Sequence, residues 1–123
     1  MAGVSELHYK GKFILLIHIS NLKVHDVEKL QGIIQQAKDE IHKHPPKSLL
    51  IITDVTNTYF DLKMAEAIKE YTVHNTPYVK ASAIVGLFGL QKVILMTIKT
   101  VTGREFYIAK SLQDAQEWLV RQS

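Results

Sequence analysis

The chain has no cysteine, which excludes a disulfide framework, a thiolate zinc site, an iron–sulfur cluster and a cysteine nucleophile. Arginine is scarce: the 15 basic residues are lysines apart from Arg104 and Arg121. The lysines are scattered and form no basic arm, so the net charge of +3 is read as a solubility property. Nucleic acid is not expected as a partner. Long apolar runs are missing too. Phe13–Ile17 and Val93–Met96 fall far below the ~20 residues needed to span a bilayer. The first residues lack a basic segment followed by an apolar one, so no signal peptide and a cytoplasmic location are expected. With 6 glycines and 3 prolines, the chain has no Gly/Ser linker and no repeat, and residues 1–123 are expected to form a single domain. A hydrophobic content of 46% against 22% charged excludes intrinsic disorder.

What is present is an alternation of short apolar runs and amphipathic stretches. Leu7–Tyr9 and Lys12–Ile19 flank Lys10-Gly11 and predict a β-hairpin. The second run is apolar almost throughout, as a strand covered on both faces requires. Asp26 is placed to cap a helix reaching about His42, with Val27, Leu30, Ile34, Ala37 and Ile41 on one stripe. Pro45-Pro46 ends it. Ser48–Thr53 is a further buried strand leading into the polar loop Asp54–Phe60. Asp61 caps a second helix with Met64, Ala67, Ile68 and Tyr71 inside. Asn75-Thr76-Pro77 stops it, and Val79–Val85 follows as a strand. Glu105–Ala109 predicts the last strand. Ser111-Leu-Gln-Asp114 opens a final helix containing Leu112, Ala115, Trp118 and Leu119.

Residues 89–101 fit either a hairpin with Glu105–Ala109 or a helix ending at Gly103. The helix is preferred because parallel strands need a crossover. Its core stripe would be Leu90, Val93, Ile94, Thr97, Ile98 and Val101, leaving Phe88, Leu95 and Met96 as a second apolar side that needs its own cover. The expected architecture is α/β: an N-terminal hairpin, then alternating strands and helices, giving a five-stranded, mostly parallel sheet with four helices. Ligands gather beyond the carboxyl ends of such strands, which singles out the loops Ser20–His25, Asp54–Asp61 and Gly86–Gly89.

The individual chemical groups point to no reaction. His42-x-His44 with Asp39 and Glu40 has metal-ligand types, but imidazoles near a helix C-terminus are explained by its negative end, and no metal or other cofactor is expected. His18 could meet Asp54 as an acid–base pair, yet no nucleophile accompanies them, and Ser20, Ser48, Ser82 and Ser111 lack a nucleophile elbow. Gly86-Leu-Phe-Gly89 lacks both the Walker lysine and the dinucleotide fingerprint. Tight turns account for its glycines.

Leu50-Ile-Ile-Thr-Asp-Val-Thr-Asn, Tyr78-Val-Lys-Ala-Ser-Ala-Ile-Val-Gly, Gly103-Arg-Glu and Ala115-Gln-Glu-Trp-Leu resemble the small bacterial SpoIIAA-like proteins, which belong with the STAS and CRAL-TRIO-related α/β folds. The resemblance runs from about His8 to Leu119. The anti-sigma-factor antagonists among these relatives carry an Asp-Ser-Ser-Gly-like sequence in which one serine is phosphorylated. Asp61 matches that aspartate, but Leu62 and Lys63 stand in place of the serines and no glycine follows, so the phosphoserine switch is not carried over. Thr56 and Thr58 are the hydroxyls nearby.

The resulting expectation is a non-enzymatic, STAS-like interaction module that docks an unidentified protein partner or a second copy of itself. The alternative is a small carrier or sensor of an apolar or anionic, lipid-like ligand. The candidate binding residues are Asp54, Thr56, Asn57, Thr58, Tyr59, Phe60, Asp61, Gly86, Phe88, Gly89, Leu95 and Met96.

Overall fold

The computed structural model describes residues 3–87 and 90–123. Phe88 and Gly89 lie outside the described residues. The elements are β1 (Val4–Tyr9), β2 (Lys12–His18), α1 (Val27–Ile41), β3 (Leu49–Asp54), α2 (Leu62–Asn75), a 3-10 turn at Thr76–Tyr78, β4 (Val79–Val85), α3 (Leu90–Thr102), β5 (Tyr107–Ala109) and α4 (Leu112–Gln122). They form one five-stranded sheet in the order β1-β2-β3-β4-β5. The β1–β2 hairpin is antiparallel, with Leu7 opposite Ile14. The remaining pairs are parallel, aligning Leu15 with Ile51, Ile51 with Ser82 and Ala83 with Tyr107. Residues 90–102 form a helix between two parallel strands, as the crossover argument requires.

Alternation along the central strands sends side chains into two layers. Leu15, Ile17, Leu49, Ile51 and Ile84 pack with Leu30, Ile34, Ala37 and Ile41 of α1, Met64 and Tyr71 of α2, and Leu95 of α3. Ile14, Leu16, Leu50, Ile52, Ala83 and Ala109 face the other way, onto Ala115 and Leu119 of α4. One side of the sheet thus carries three helices and the other carries one. The Tyr107 and Trp118 rings stack with centroids 4.8 Å apart, seating α4 on β5. The Lys10 ammonium, 3.0 Å from Glu117, and the Tyr9 hydroxyl, which donates to the same carboxylate, tie α4 to the hairpin.

Two local expectations are corrected. Asp26 occupies the N-cap position of α1, but its side chain makes no cap bond. Its carboxylate instead accepts from the Lys23 amide at 2.8 Å, closing the preceding turn. The inner face of α3 is also rotated from the predicted one. Leu95 and Ile98 are buried, at 8% and 3% exposure, while Val93 and Met96 are 61% and 53% exposed. Leu95 therefore belongs to the core, Val93 faces out, and Thr97, also placed inside by periodicity, is exposed. The side chains of Leu90, Ile94 and Val101 lie outside the described set. The physical reason is that apolar residues occur on nearly every side of this helix, so their spacing does not select one face. The Thr97 and Thr100 hydroxyls instead donate to Val93 and Met96 carbonyls within the helix and sit at its outer surface.

Candidate functional site

At the carboxyl ends of the parallel strands the predicted loops meet. The Ile19 amide donates to Asp54 O at 2.8 Å, the Asn21 amide to Thr56 O at 2.9 Å and the Tyr59 amide to Leu22 O at 2.9 Å. The Val55 amide donates to Val85 O at 2.9 Å, joining the β3 exit to the β4 exit. Gly86, at φ +89°, packs against the backbone of Thr56 so closely that an added Cβ would lie 2.7 Å from its N and 2.8 Å from its Cα. The glycine is required by both its left-handed conformation and this approach.

Most candidate side chains in these loops are spent on holding them. The Asp54 carboxylate accepts from the Thr56 amide at 3.0 Å and the Thr56 hydroxyl at 2.6 Å. Thr58 is fully buried. Its hydroxyl donates to Ile19 O at 2.5 Å and accepts from the Leu22 amide at 3.3 Å, so it is a strut between loops and has no surface to offer a partner. Asn57 Nδ2 donates to Asn21 Oδ1 at 3.4 Å. Asp61 caps α2 by accepting from the Met64 amide at 2.8 Å, and the His25 amide donates to its other oxygen at 3.1 Å. The Met64 amide, ahead of His25, holds the Asp61 carboxyl below the ordinary carboxylate range. Tyr59 is exposed, whereas Phe60 packs inward against the core.

His18 shares a 2.8 Å hydrogen bond with Ser5, while the Asp54 carboxylate is turned to Thr56, so the conjectured acid–base pair does not form. His42 and His44 part company as well. His42 meets His74 of α2, with the two Nε2 atoms 3.0 Å apart, and His44 stacks on Phe13 at 5.3 Å. Among the described residues, no group of three or more metal-ligating side chains comes together.

A cavity of about 70 Å3 lies under this rim, between α2, α3 and the sheet. Its walls are apolar: Ile51, Val55, Phe60, Ile68, Ile84, Leu87, Leu95, Ile98 and Phe106. Phe60 and Leu95, predicted as outward contact residues, line it from within. One end is polar and is built by Tyr71 and Asn75 of α2, Ser82 of β4 and Arg104. Tyr71 and Asn75 are four residues apart and so share a helix face. Gly103, at φ +72°, ends α3 in the left-handed conformation that allows the chain to leave the helix axis, and Arg104 follows at once. The Arg104 guanidinium donates to Ser82 Oγ at 2.5 Å and to Thr76 Oγ1 at 3.4 Å and lies over the Phe106 ring at 5.0 Å. Burial pushes the Tyr71 hydroxyl far above its ordinary value, with the nearby Arg104 charge acting the other way. Asn75 is 2% exposed, and neither its Nδ2 nor its Oδ1 has a hydrogen-bond partner among the described residues. It lies beside the Tyr71 hydroxyl and, with Arg104, acts against the rise that burial imposes there.

Sequence reading missed this polar end. The available signal was an asparagine continuing the inner stripe Met64-Ile68-Tyr71, together with one of two arginines following a helix-ending glycine.

No protein-family model matches the chain, and no curated protein matches it. Among solved structures it is similar to an uncharacterized protein of the DUF3478 family from Shewanella loihica PV-4, with a TM-score of 0.64, 19% identity, and coverage of 95% of this chain and 92% of that one. That protein has a SpoIIAA-like fold. No described helix is long and apolar enough to cross a membrane. Five strands, one antiparallel hairpin and four helices, superposing on that neighbour over nearly their whole length, make this chain a SpoIIAA-like α/β fold.

Proposed function

We propose that the chain is a non-enzymatic binding module, a small carrier or sensor that holds a compact, largely apolar molecule in the cavity between α2, α3 and the sheet. The observation that carries this reading is the cavity itself: apolar walls converging on a few buried polar groups, the common construction of small-molecule sites. The strand-end loops act as its frame, since their polar side chains bond mainly to one another. An engineered apolar cavity of about 150 Å3 takes benzene. At about 70 Å3 the present one suits a small ligand and not an extended lipid.

Native mass spectrometry of freshly purified protein, with amide NMR titration by xenon and ethanol, tests the reading. A retained small molecule, or saturable shifts confined to residues 68–75, 82–84 and 95–98, supports it. A bare mass with no saturable shift at those positions overturns it.

Docking of a protein partner or a second copy is the other reading. It is favoured by Val93 and Met96, both more than half exposed on the outer side of α3, since apolar surface of this kind marks contacts where it is contiguous. Light scattering on wild type and Met96→Glu decides it. Association lost in the variant supports docking, and a monomeric wild type that captures no partner counts against it.

A further inference from the structure

We infer that His42 and His74 form a divalent metal site: their two Nε2 atoms bind one late first-row cation of right-angle coordination, Ni2+ or Cu2+ in type, across the carboxyl ends of α1 and α2. The site is separate from the cavity. α1 leads into β3, and α2 leads through the 3-10 turn into β4, so both helices end at the opposite end of the sheet from the strand-end rim.

Geometry carries the inference. The two Nε2 atoms stand 3.0 Å apart. Imidazole nitrogens bind such ions at about 2.0–2.1 Å, so two neighbouring ligands at a right angle lie about 2.9 Å apart, against about 3.3–3.4 Å for a tetrahedral pair. The observed spacing matches the right-angle arrangement. The ring centroids are 4.8 Å apart, with the planes at 41°. Two rings pointing straight at each other would add a ring radius at each end to the N···N distance and stand farther apart than this. These rings are bent off that line, as two ligands of one ion lying beside it must be.

Position favours a cation as well. His42 is the C-cap of α1 and His74 lies in the last turn of α2, so each imidazole sits at the negative end of a helix dipole. Lys38, one turn before His42, and Glu70, one turn before His74, carry opposite charges, and Lys43 is paired with Glu40 at 3.0 Å. The imidazole lone pairs and the two dipoles therefore supply the attraction. The His42 ring also packs on Tyr78 with centroids 4.8 Å apart, a contact that holds one ligand in place before the ion arrives.

Both histidines are exposed, and among the described residues no third ligating side chain joins them, so water completes the shell. Imidazole suits Ni2+ and Cu2+, whereas a hard cation such as Mg2+ takes oxygen ligands. The spacing His42-x-His44 pointed elsewhere, because His44 is turned onto Phe13. The true pair is 32 positions apart and exists only in the folded chain, so an ion bound there stabilises the fold.

The test titrates NiCl2 into wild type, His42→Ala, His74→Ala and His44→Ala at pH 7.5, followed by amide NMR and thermal melting, with MgCl2 as the oxygen-preferring control. All three substitutions are at or near the surface and spare the core. In wild type, Ni2+ should broaden signals saturably around residues 42 and 74, and Mg2+ should not. His42→Ala and His74→Ala should each weaken that binding at least about tenfold, and His44→Ala should leave it unchanged. Ni2+ should raise the melting temperature of wild type and His44→Ala but of neither pair variant. Broadening that keeps its wild-type affinity in either pair variant identifies a single-imidazole contact and overturns the inference. An equal effect of Mg2+, or no saturable broadening at the two positions, overturns it too. None of these outcomes touches the cavity reading.

Discussion

Replacing Gly86 by alanine tests how tightly the strand-end rim is built. Two costs combine there. An alanine at φ +89° occupies a left-handed conformation that disfavours a Cβ by about 1–2 kcal/mol. The new methyl would also lie 2.7 and 2.8 Å from backbone atoms of Thr56, which cannot swing aside as a side chain does. Overpacking of this kind costs about 1–3 kcal/mol, so the sum is about 2–5 kcal/mol, a large share of the ~5–15 kcal/mol by which a domain is stable. Gly11 provides the control: it too has positive φ, +79°, but nothing lies within 4 Å of an added Cβ. Gly11→Ala should therefore show the conformational cost alone. Urea unfolding of both variants isolates the close approach as the difference, expected at about 1–3 kcal/mol. Adding Thr56→Ala to Gly86→Ala should recover little, since Thr56 N and Cα remain. Equal losses at the two glycines, or full rescue by Thr56→Ala, would refute the backbone contact and with it the rigid joint between the β3 and β4 exits.

Three further outcomes follow from the same geometry. Thr58→Val keeps the buried volume but strips partners from Ile19 O and the Leu22 amide, and should cost about 1–3 kcal/mol in urea unfolding; a neutral substitution refutes the strut. Asp61 and Asp114 are held below their ordinary values, Asp61 chiefly by the Met64 amide and Asp114 chiefly by the Lys110 amide with help from the Tyr107 hydroxyl. Their contribution to stability is therefore full above the unfolded carboxylate value of about 4 and is lost as pH falls through the lowered folded values. The melting temperature of Asp61→Asn/Asp114→Asn should accordingly depend less on pH below 4 than that of wild type, and parallel profiles would count against it. Tyr71, raised by burial, acts at the other end of the scale. Above about pH 10 the unfolded chain releases this proton while the folded one retains it, so wild type loses stability there. Tyr71→Phe should show a shallower alkaline decline, and an identical decline places the effect elsewhere.

The sequence was informative where one face of an element is plainly apolar and the other polar. α1 alternates Leu30, Ile34, Ala37 and Ile41 with charged residues, and the buried set is that stripe. Asp61 and Ser111 were legible as caps because a short polar side chain before an amphipathic run has one common use, and both make the bond, to Met64 N and Asp114 N. Asp26 looks the same in sequence. The turn beginning at Lys23 competed for its carboxylate and won, a contact that capping patterns do not encode. The face of α3 was illegible for a different reason: Val93, Leu95, Met96 and Ile98 surround the helix, and packing against α2 and the sheet chose between them. The candidate residues divide along similar lines. Loop residues such as Asp54 and Thr56 bond each other locally, but the role of Thr58 depends on partners 36 and 39 positions away, at Leu22 and Ile19. Asn75 of α2, Ser82 of β4 and Arg104 of the α3–β5 connection converge, and no spacing along the chain announces that.

The two faces of the sheet treat polar groups in opposite ways, and this bears on why a cavity is placed where it is. Under α4 the core is aliphatic, from Ile14 to Leu119, and polar groups stand at its rim in satisfied sets: Tyr107 donating to Asp114 at 2.9 Å, Gln113 to Tyr9 at 2.6 Å. Under α2 and α3, Asn75 and Ser82 are buried instead, at 2% and 4% exposure, and the asparagine amide lies beside the Tyr71 hydroxyl without a well-formed hydrogen bond. Leucine there would avoid a penalty of about 1–3 kcal/mol. Conflict between local chemistry and global packing is expected to gather at functional positions; among the described residues it occurs at Asn75 in this cavity and at Gln36 Oε1 on α1. α3 is joined to the polar end of the cavity through Gly103 and Arg104 and to the apolar wall through Leu95 and Ile98. The same helix thus lines the cavity with Leu95 and Ile98 from its middle and turns Val93 and Met96 outward.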